Sequence, residues 1–221
     1  MAAPLPLQPA PAEAPIDVRD APSFQAAVGA NAQQMADLEA FRALLADWSQ
    51  RMNLVGPSAL AEFWGRHAYD CAQLRDLAPE AMRWADLGAG AGFPGVVLAV
   101  LLKGRPGAQV HLVESVGKRC RFLETAAAEL DLPALVHNAR AESLSFKADI
   151  VTARACAPLP RLFEFAWPWM RKGATGLFLK GQDVGVELAE ATKSWAFEAE
   201  LLQSRSSAAG RIVKLSRLAR G

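Results

Sequence analysis

The sequence predicts an α/β protein: a mostly parallel sheet with helices on both faces, closed by a C-terminal antiparallel strand pair and preceded by capping helices. Three observations predict it. From Met82 onward, short apolar runs alternate with stretches of helical periodicity, the cadence of strand–helix–strand units. A glycine-rich turn joins the first apolar run to an apolar helix. Two late stretches, residues 197–202 and 211–218, alternate as an antiparallel pair would.

In chain order, residues 1–22 carry six of the fourteen prolines, so they read as an extended tail or wrapping arm. Residues 1–30 are assigned to this N-terminal extension. Met35, Leu38, Phe41, Leu45 and Trp48 then recur at helical spacing over residues 31–52. A second helix is expected over 57–77, with Leu60, Phe63, Trp64, His67 and Cys71 on one face. These two form a helical cap, residues 31–80. The remaining residues, 81–221, form the main domain. Its expected strands are 82–87, 109–113, 134–138, 149–153 and 175–179. Its expected helices start near Pro94 and cover 117–130, 159–170 and 184–194. No internal repeat is present.

Composition narrows the function. The 221 residues are 52% apolar and 21% charged, with a net charge of +1, which suits a globular chain and excludes a disordered one. No apolar run reaches the roughly 18–20 residues of a membrane helix. The charge is unevenly placed: residues 1–50 hold six acids against two bases, while residues 201–221 hold five bases and no acid. A local basic surface built from the C-terminal hairpin and residues 118–121 is therefore compatible with a near-neutral whole. Cys71, Cys120 and Cys156 are odd in number and far apart, as expected of reduced thiols. With only His67, His111 and His137 besides, no metal site is expected.

The stretch Asp86-Leu87-Gly88-Ala89-Gly90-Ala91-Gly92-Phe93-Pro94-Gly95 carries the chemistry. It follows a buried-type strand and opens a helix, so it lies at the carboxyl edge of the sheet, where open α/β sheets bind ligands. Its glycines allow a sharp turn and close approach of a ligand to the main chain. The next strand ends in Glu114, whose carboxylate can hold two ribose hydroxyls. An adenosine-containing cofactor is expected. Phe93 stands where a dinucleotide fingerprint wants its third glycine, and no phosphate-binding Gly-Lys-Ser/Thr occurs. S-adenosylmethionine, which has no phosphate, suits the pattern.

Gly90-Ala91-Gly92-Phe93-Pro94-Gly95, Glu114-Ser115-Val116-Gly117-Lys118-Arg119, Arg154-Ala155 and Leu179-Lys180-Gly181 together resemble the RsmG (GidB) family. Asn53-Leu54, Arg66-His67 and Asp70 fit that family's helical part. The resemblance spans residues 53–218. It implies a Rossmann-like class I S-adenosylmethionine-dependent methyltransferase acting on N7 of one guanosine in 16S ribosomal RNA. It also implies a cytoplasmic enzyme that meets its RNA in the small subunit or an assembly intermediate. A monomer without membrane or metal is expected. The implied cofactor residues are Gly88, Gly90, Gly92, Phe93, Glu114, Ala141, Glu142 and Arg154. One departure stands out: Ala153-Arg154-Ala155-Cys156-Ala157-Pro158 occurs where the family usually has Ser-Arg-Ala-Phe-Ala-Ser.

N7 of guanine has a free lone pair and no proton, and a sulfonium methyl is already activated. No general base or covalent intermediate is expected, only in-line positioning. Arg154, Lys180 and His67 are candidates for orienting the reaction or touching RNA. Each has a plainer alternative: a salt bridge to an acid such as Asp86 for Arg154, a solvated strand-end lysine for Lys180, and a satisfied core histidine for His67. Cys156 reads as a packing residue, and the tryptophans as core rather than stacking platforms. Two other functions stay open: the same fold acting on a small molecule or protein, and a non-catalytic cofactor-binding assembly factor.

Overall fold

The structure, a computed structural model, describes residues 15–221. The expected tail therefore lies mostly outside the described residues. Residues 15–20 run into α1 (Ala21–Val28), a helix the proline content of this region concealed. It forms because Asp20 and Ser23 make a reciprocal capping box and Pro22 sits in the first turn, where proline costs no hydrogen bond. A second box, Asn31 with Gln34, starts α2 (Ala32–Arg51). Its predicted stripe is the buried face, with Leu38, Phe41 and Leu45 inaccessible to water.

The single helix expected over 57–77 is broken into three. A short α3 (Pro57–Ala61) leads into a π-helical stretch (Phe63–Tyr69) and then α4 (Asp70–Leu77). Gly65 lies within the π-helical stretch, and a Cβ there would meet the Val18 carbonyl oxygen at 2.3 Å. That glycine lets the N-terminal strand of chain cross directly over the cap.

Next come β1 (Arg83–Leu87), α5 (Gly95–Leu102), β2 (Gln109–Glu114), α6 (Gly117–Glu129) and β3 (Ala134–Asn138). A 3₁₀ turn (Ala141–Ser143), β4 (Ile150–Arg154), α7 (Leu159–Met170), β5 (Thr175–Lys180) and α8 (Val184–Ala191) follow. The chain ends in β6 (Trp195–Gln203) and β7 (Arg211–Arg220). The seven strands lie in the order β3-β2-β1-β4-β5-β7-β6. All pair parallel except β7, which runs antiparallel to both β5 and β6.

Alternation along the strands divides the core in two. Trp84, Val110, Leu112, Ile150 and Leu177 face α5, α6 and the cap. Ala85, Leu87, Val113, Val151 and Phe178 face α7 and α8. Every residue of α5 is buried, which explains its uniformly apolar sequence: the sheet covers one side and the cap the other. Two polar anchors fix that cap. Gln34 Nε2 donates to the Leu101 carbonyl at 3.0 Å, and Lys103 Nζ meets Asp37 at 3.0 Å and the Leu130 carbonyl at 2.7 Å. Among the described residues no helix is long and apolar enough to cross a membrane.

Candidate active site

Sequential strands β1, β2 and β3 run to one side of the sheet, and β4 returns to the other side of β1. The carboxyl ends of β1 and β4 therefore flank the crevice that this topology opens. The glycine turn fills its floor. Gly88, Gly90 and Gly92 have φ of 70°, 53° and 89°, all in the left-handed region that an L side chain resists. Gly88 and Ala89 donate their N–H groups to the Val113 carbonyl at 2.9 and 3.0 Å. Gly90 donates to Glu114 Oε2 at 3.1 Å, and Val116 N donates to Glu114 Oε1 at 2.8 Å. The carboxylate is thus held by one backbone N–H on each oxygen. Each oxygen keeps a further lone pair for a hydroxyl donor.

Asp86 works from beneath. It is fully buried, and its Oδ2 accepts the Gly95 N–H at 2.9 Å while Oδ1 accepts the Thr152 hydroxyl at 3.1 Å. It therefore caps α5 from the preceding strand. Burial pushes its carboxyl up to about 7, against the lowering effect of the Gly95 and Thr152 hydrogen bonds. Gly95 is required by packing: a Cβ there would lie 2.2 Å from Leu112 Cδ2 and 2.7 Å from Asp86 Oδ2. Neither role was assigned from the sequence, although both residues belong to the motif.

Gly88, Glu114, Ala141 and Glu142 line one cleft together with Cys156 and Phe165. A Cβ on Gly88 would meet Cys156 Sγ at 2.7 Å, so Cys156 sits directly against the bare glycine. Desolvation raises the Cys156 thiol to about 11, so it stays protonated. Gly92 supports the cleft from behind, packed on Val96 and on Phe41 of the cap. The free carboxylate lone pairs, the side-chain-free floor and the apolar walls fit an adenosyl cofactor.

Phe93, Arg154 and His67 form a second group. Phe93 is buried against Phe41 and Phe63, with the His67 ring 5.1 Å away. The Arg154 guanidinium stands 5.6 Å from the Phe93 ring centre. It donates to the Arg66 carbonyl at 3.2 Å and to His67 Nδ1, and faces Asp70 at 3.7 Å. Its acid is therefore Asp70, not Asp86. The reason is geometric: Asp86 points down toward α5, whereas Arg154 ends β4 beneath the π-helical stretch. Desolvation, with the nearby Arg154 and Arg66 charges, lowers His67 to about 4. It is neutral, and its Nδ1 lone pair is committed to Arg154.

Lys180 is not solvated. Its Nζ donates to Glu187 Oε2 at 2.6 Å and to the Ala157 carbonyl at 2.8 Å. Glu187 Oε2 also accepts the Leu159 N–H at 2.7 Å, and no periodicity linked these three. Lys180, Arg154, Arg66, Asp70 and Glu187 line a pocket of about 380 Å³, walled on one side by Ser207, Ala209 and Gly210 of the β6–β7 turn. No cluster of His, Cys, Asp and Glu suited to a metal occurs among the described residues.

Three of the five C-terminal cations are paired: Arg217 and Lys214 face Glu198 and Glu200 on β6, and Arg205 faces Asp76. Around the crevice, exposed Arg66, Lys118, Arg140 and Arg161 have no ion pair among the described residues. The basic surface anticipated from the terminal hairpin thus shifts toward the crevice rim.

Comparison with known proteins gives this architecture a family. The model of GidB, rRNA small subunit methyltransferase G, matches residues 34–213. The chain belongs to this family. It is 63% identical over 214 residues to the ribosomal RNA small subunit methyltransferase G of Caulobacter vibrioides (strain NA1000 / CB15N), covering 97% of this chain and 99% of that one. The protein of the same name from Bradyrhizobium sp. (strain ORS 278) is 50% identical, covering 80% and 82%. Among solved structures, an O-methyltransferase from Bacillus cereus in complex with SAH is similar at a TM-score of 0.55 and 14% identity, covering 82% and 91%. A SAM-dependent methyltransferase from Aquifex aeolicus reaches 0.54 at 14%, covering 76% and 96%. These last two likenesses bear on the fold alone: this family member is built on a Rossmann-like methyltransferase sheet.

Proposed function

We propose that this chain transfers the methyl group of S-adenosylmethionine to N7 of a guanosine in 16S ribosomal RNA, directly and without a covalent enzyme intermediate. Family membership carries the reaction and the substrate class. One observation supports the direct route: His67, Cys156 and Lys180 beside the crevice are unsuited to act as base or nucleophile. His67 is neutral with its Nδ1 occupied, the Cys156 thiol is held protonated, and Lys180 is paired with Glu187. A reaction at a proton-free nitrogen needs none of them.

Glu114 holds the ribose hydroxyls, Gly88 and Gly90 let the main chain approach, and Ala141 and Glu142 flank the adenine end. Gly92 and Phe93 brace the turn. Bound there, the cofactor supplies a methyl group already activated on sulfur. Arg154 and Lys180 orient the acceptor base, Lys180 with the one N–H bond its two protein partners leave. A cationic donor suits the O6 acceptor next to N7. His67 fixes the Arg154 guanidinium. Arg66, Lys118, Arg140 and Arg161 meet RNA phosphates, which relieves the cost of Lys118 near the positive end of α6. The chain acts in the cytoplasm as a monomer, on the small subunit or an assembly intermediate.

The test is to map N7-methylguanosine in small-subunit RNA from cells with and without the gene, and to incubate purified subunits with tritiated cofactor. Label at guanine N7 is expected. Label at any other atom, or RNA modification unchanged by loss of the gene, overturns the reading.

A further inference from the structure

The acceptor-side pocket has walls from distant parts of the chain, and one carboxylate touches two of them. Asp70 opens α4 with its side chain 17% exposed. Its Oδ1 accepts the Ser204 hydroxyl at 3.0 Å, the Ser206 hydroxyl at 2.7 Å and Gln73 Nε2 at 3.0 Å. Its Oδ2 faces Arg154 at 3.7 Å. Ser204 is wholly buried and Gln73 nearly so. Gln73 also donates to Ser204 Oγ at 3.0 Å and accepts the Arg205 N–H at 2.9 Å, while Arg205 reaches Asp76 at 2.6 Å.

A hairpin turn ordinarily hangs in solvent and is among the more mobile parts of a domain. Here three consecutive residues, Ser204 to Ser206, are fastened to the cap, and Ser207, Ala209 and Gly210 just after them form the pocket wall. The same carboxylate sets the charge opposite Arg154 on β4. Asp70 makes no hydrogen bond to Gly88, Glu114, Ala141 or Glu142.

We propose that Asp70 is a positioning residue for methyl transfer: it holds Arg154 and the 204–210 turn in the one arrangement that receives the acceptor base. This rests on the reading that the acceptor guanosine enters that pocket. Two effects then separate. Losing the charge frees Arg154, which acts on the rate of transfer. Losing a hydroxyl contact loosens the wall, which acts on capture of the RNA.

The experiment uses the full chain with purified small subunits and S-adenosylmethionine. Asp70→Asn keeps an acceptor oxygen for the two serines and removes the charge. It should lower kcat at least tenfold, leave the cofactor dissociation constant within twofold by calorimetry, and leave amide hydrogen exchange in residues 204–210 unchanged. Ser206→Ala should raise KM for subunits by a larger factor than it lowers kcat. Asp70→Asn with kcat within twofold, or with cofactor affinity falling as far as kcat, overturns the proposal. If Asp70→Asn does not fold, Ser206→Ala with an unchanged KM overturns it. Failure of the underlying reading is seen separately, in the parent enzyme, as label away from guanine N7.

Discussion

The cleft proposed for the cofactor and the pocket proposed for the acceptor adjoin the same strand ends and are built in opposite ways. The floor of the cleft is one run of chain, left-handed glycines with Asp86 beneath them, tied to Glu114 beside them through backbone N–H groups. The pocket is a meeting of side chains from the cap, β4, β5, α8 and the last hairpin. Backbone geometry is encoded by a few adjacent residue types. Side-chain convergence depends on how whole elements pack. The cleft should therefore fail through single backbone positions, and the pocket through loss of partners.

The largest effect expected is at the turn. Gly90→Val forces a β-branched residue to φ 53°, at a cost of about 1–2 kcal/mol for the left-handed conformation alone. Cofactor binding should be abolished by calorimetry while RNA binding remains measurable. Gly88→Ala should weaken cofactor binding by both strain and contact with Cys156. Gly88→Ala combined with Cys156→Ala removes the Sγ contact, leaves a Cβ at 3.2 Å and keeps the strain, so it should recover part of the affinity. Full recovery would show that φ 70° matters little there.

Next comes the pocket. Lys180→Ala leaves Glu187 without its cation, although the Leu159 N–H remains. Methyl transfer at saturating subunits should fall tenfold or more, with cofactor affinity within twofold. Equal losses of both would place Lys180 in the cofactor cleft instead and blur the distinction between the two regions.

A smaller effect concerns pH. Asp86 is raised from 3.8 to about 7, so the folded state keeps a proton that the unfolded chain releases. Its contribution to stability is full below about pH 4 and is lost as pH rises through about 7. His67 and His111, lowered from 6.5 to about 4 by burial, act oppositely: their contribution is present above pH 6.5 and lost as pH falls toward 4. Asp86→Asn should therefore steepen the loss of stability on acidification between pH 7 and 5, read by urea unfolding at several pH values. An unchanged profile would remove Asp86 as a proton-holding group. The smallest effect is at the terminal hairpin. Arg217→Ala breaks an ion pair exposed on both sides and should change stability by no more than about 0.5 kcal/mol. It should change the salt dependence of activity less than Arg66→Ala does.

Much of the fold was legible because its signals are periodic. Residues 134–138 and 159–170 were placed as β3 and α7 to the residue, and the other strands and helices of the sheet domain within a few positions. The cap was read less well. The 57–77 pattern is helical throughout, and its break into α3, a π-helical stretch and α4 involves the close crossing of Val18 over Gly65, a tertiary contact without local signature. α1 was missed because proline dominates the composition around it, while its capping box, Asp20 with Ser23, is only three residues wide. In the site, Glu114 and the glycines follow from position alone. Glu187 does not: its tie to Lys180 and the Leu159 N–H spans three elements.

The sequence by itself determined the alternating sheet, the glycine turn at its carboxyl edge, and the acid that ends the second strand. Those are properties of neighbouring residues, set by side-chain periodicity and allowed φ. Only the tertiary structure decided that Arg154 answers to Asp70 rather than Asp86, and that Lys180 is paired rather than solvated. It also decided that Lys214 and Arg217 of the last hairpin are met by acids on the strand beside them. Charges and hydrogen-bond donors act over a few ångströms in space, and the residues that share such a distance here lie on different elements.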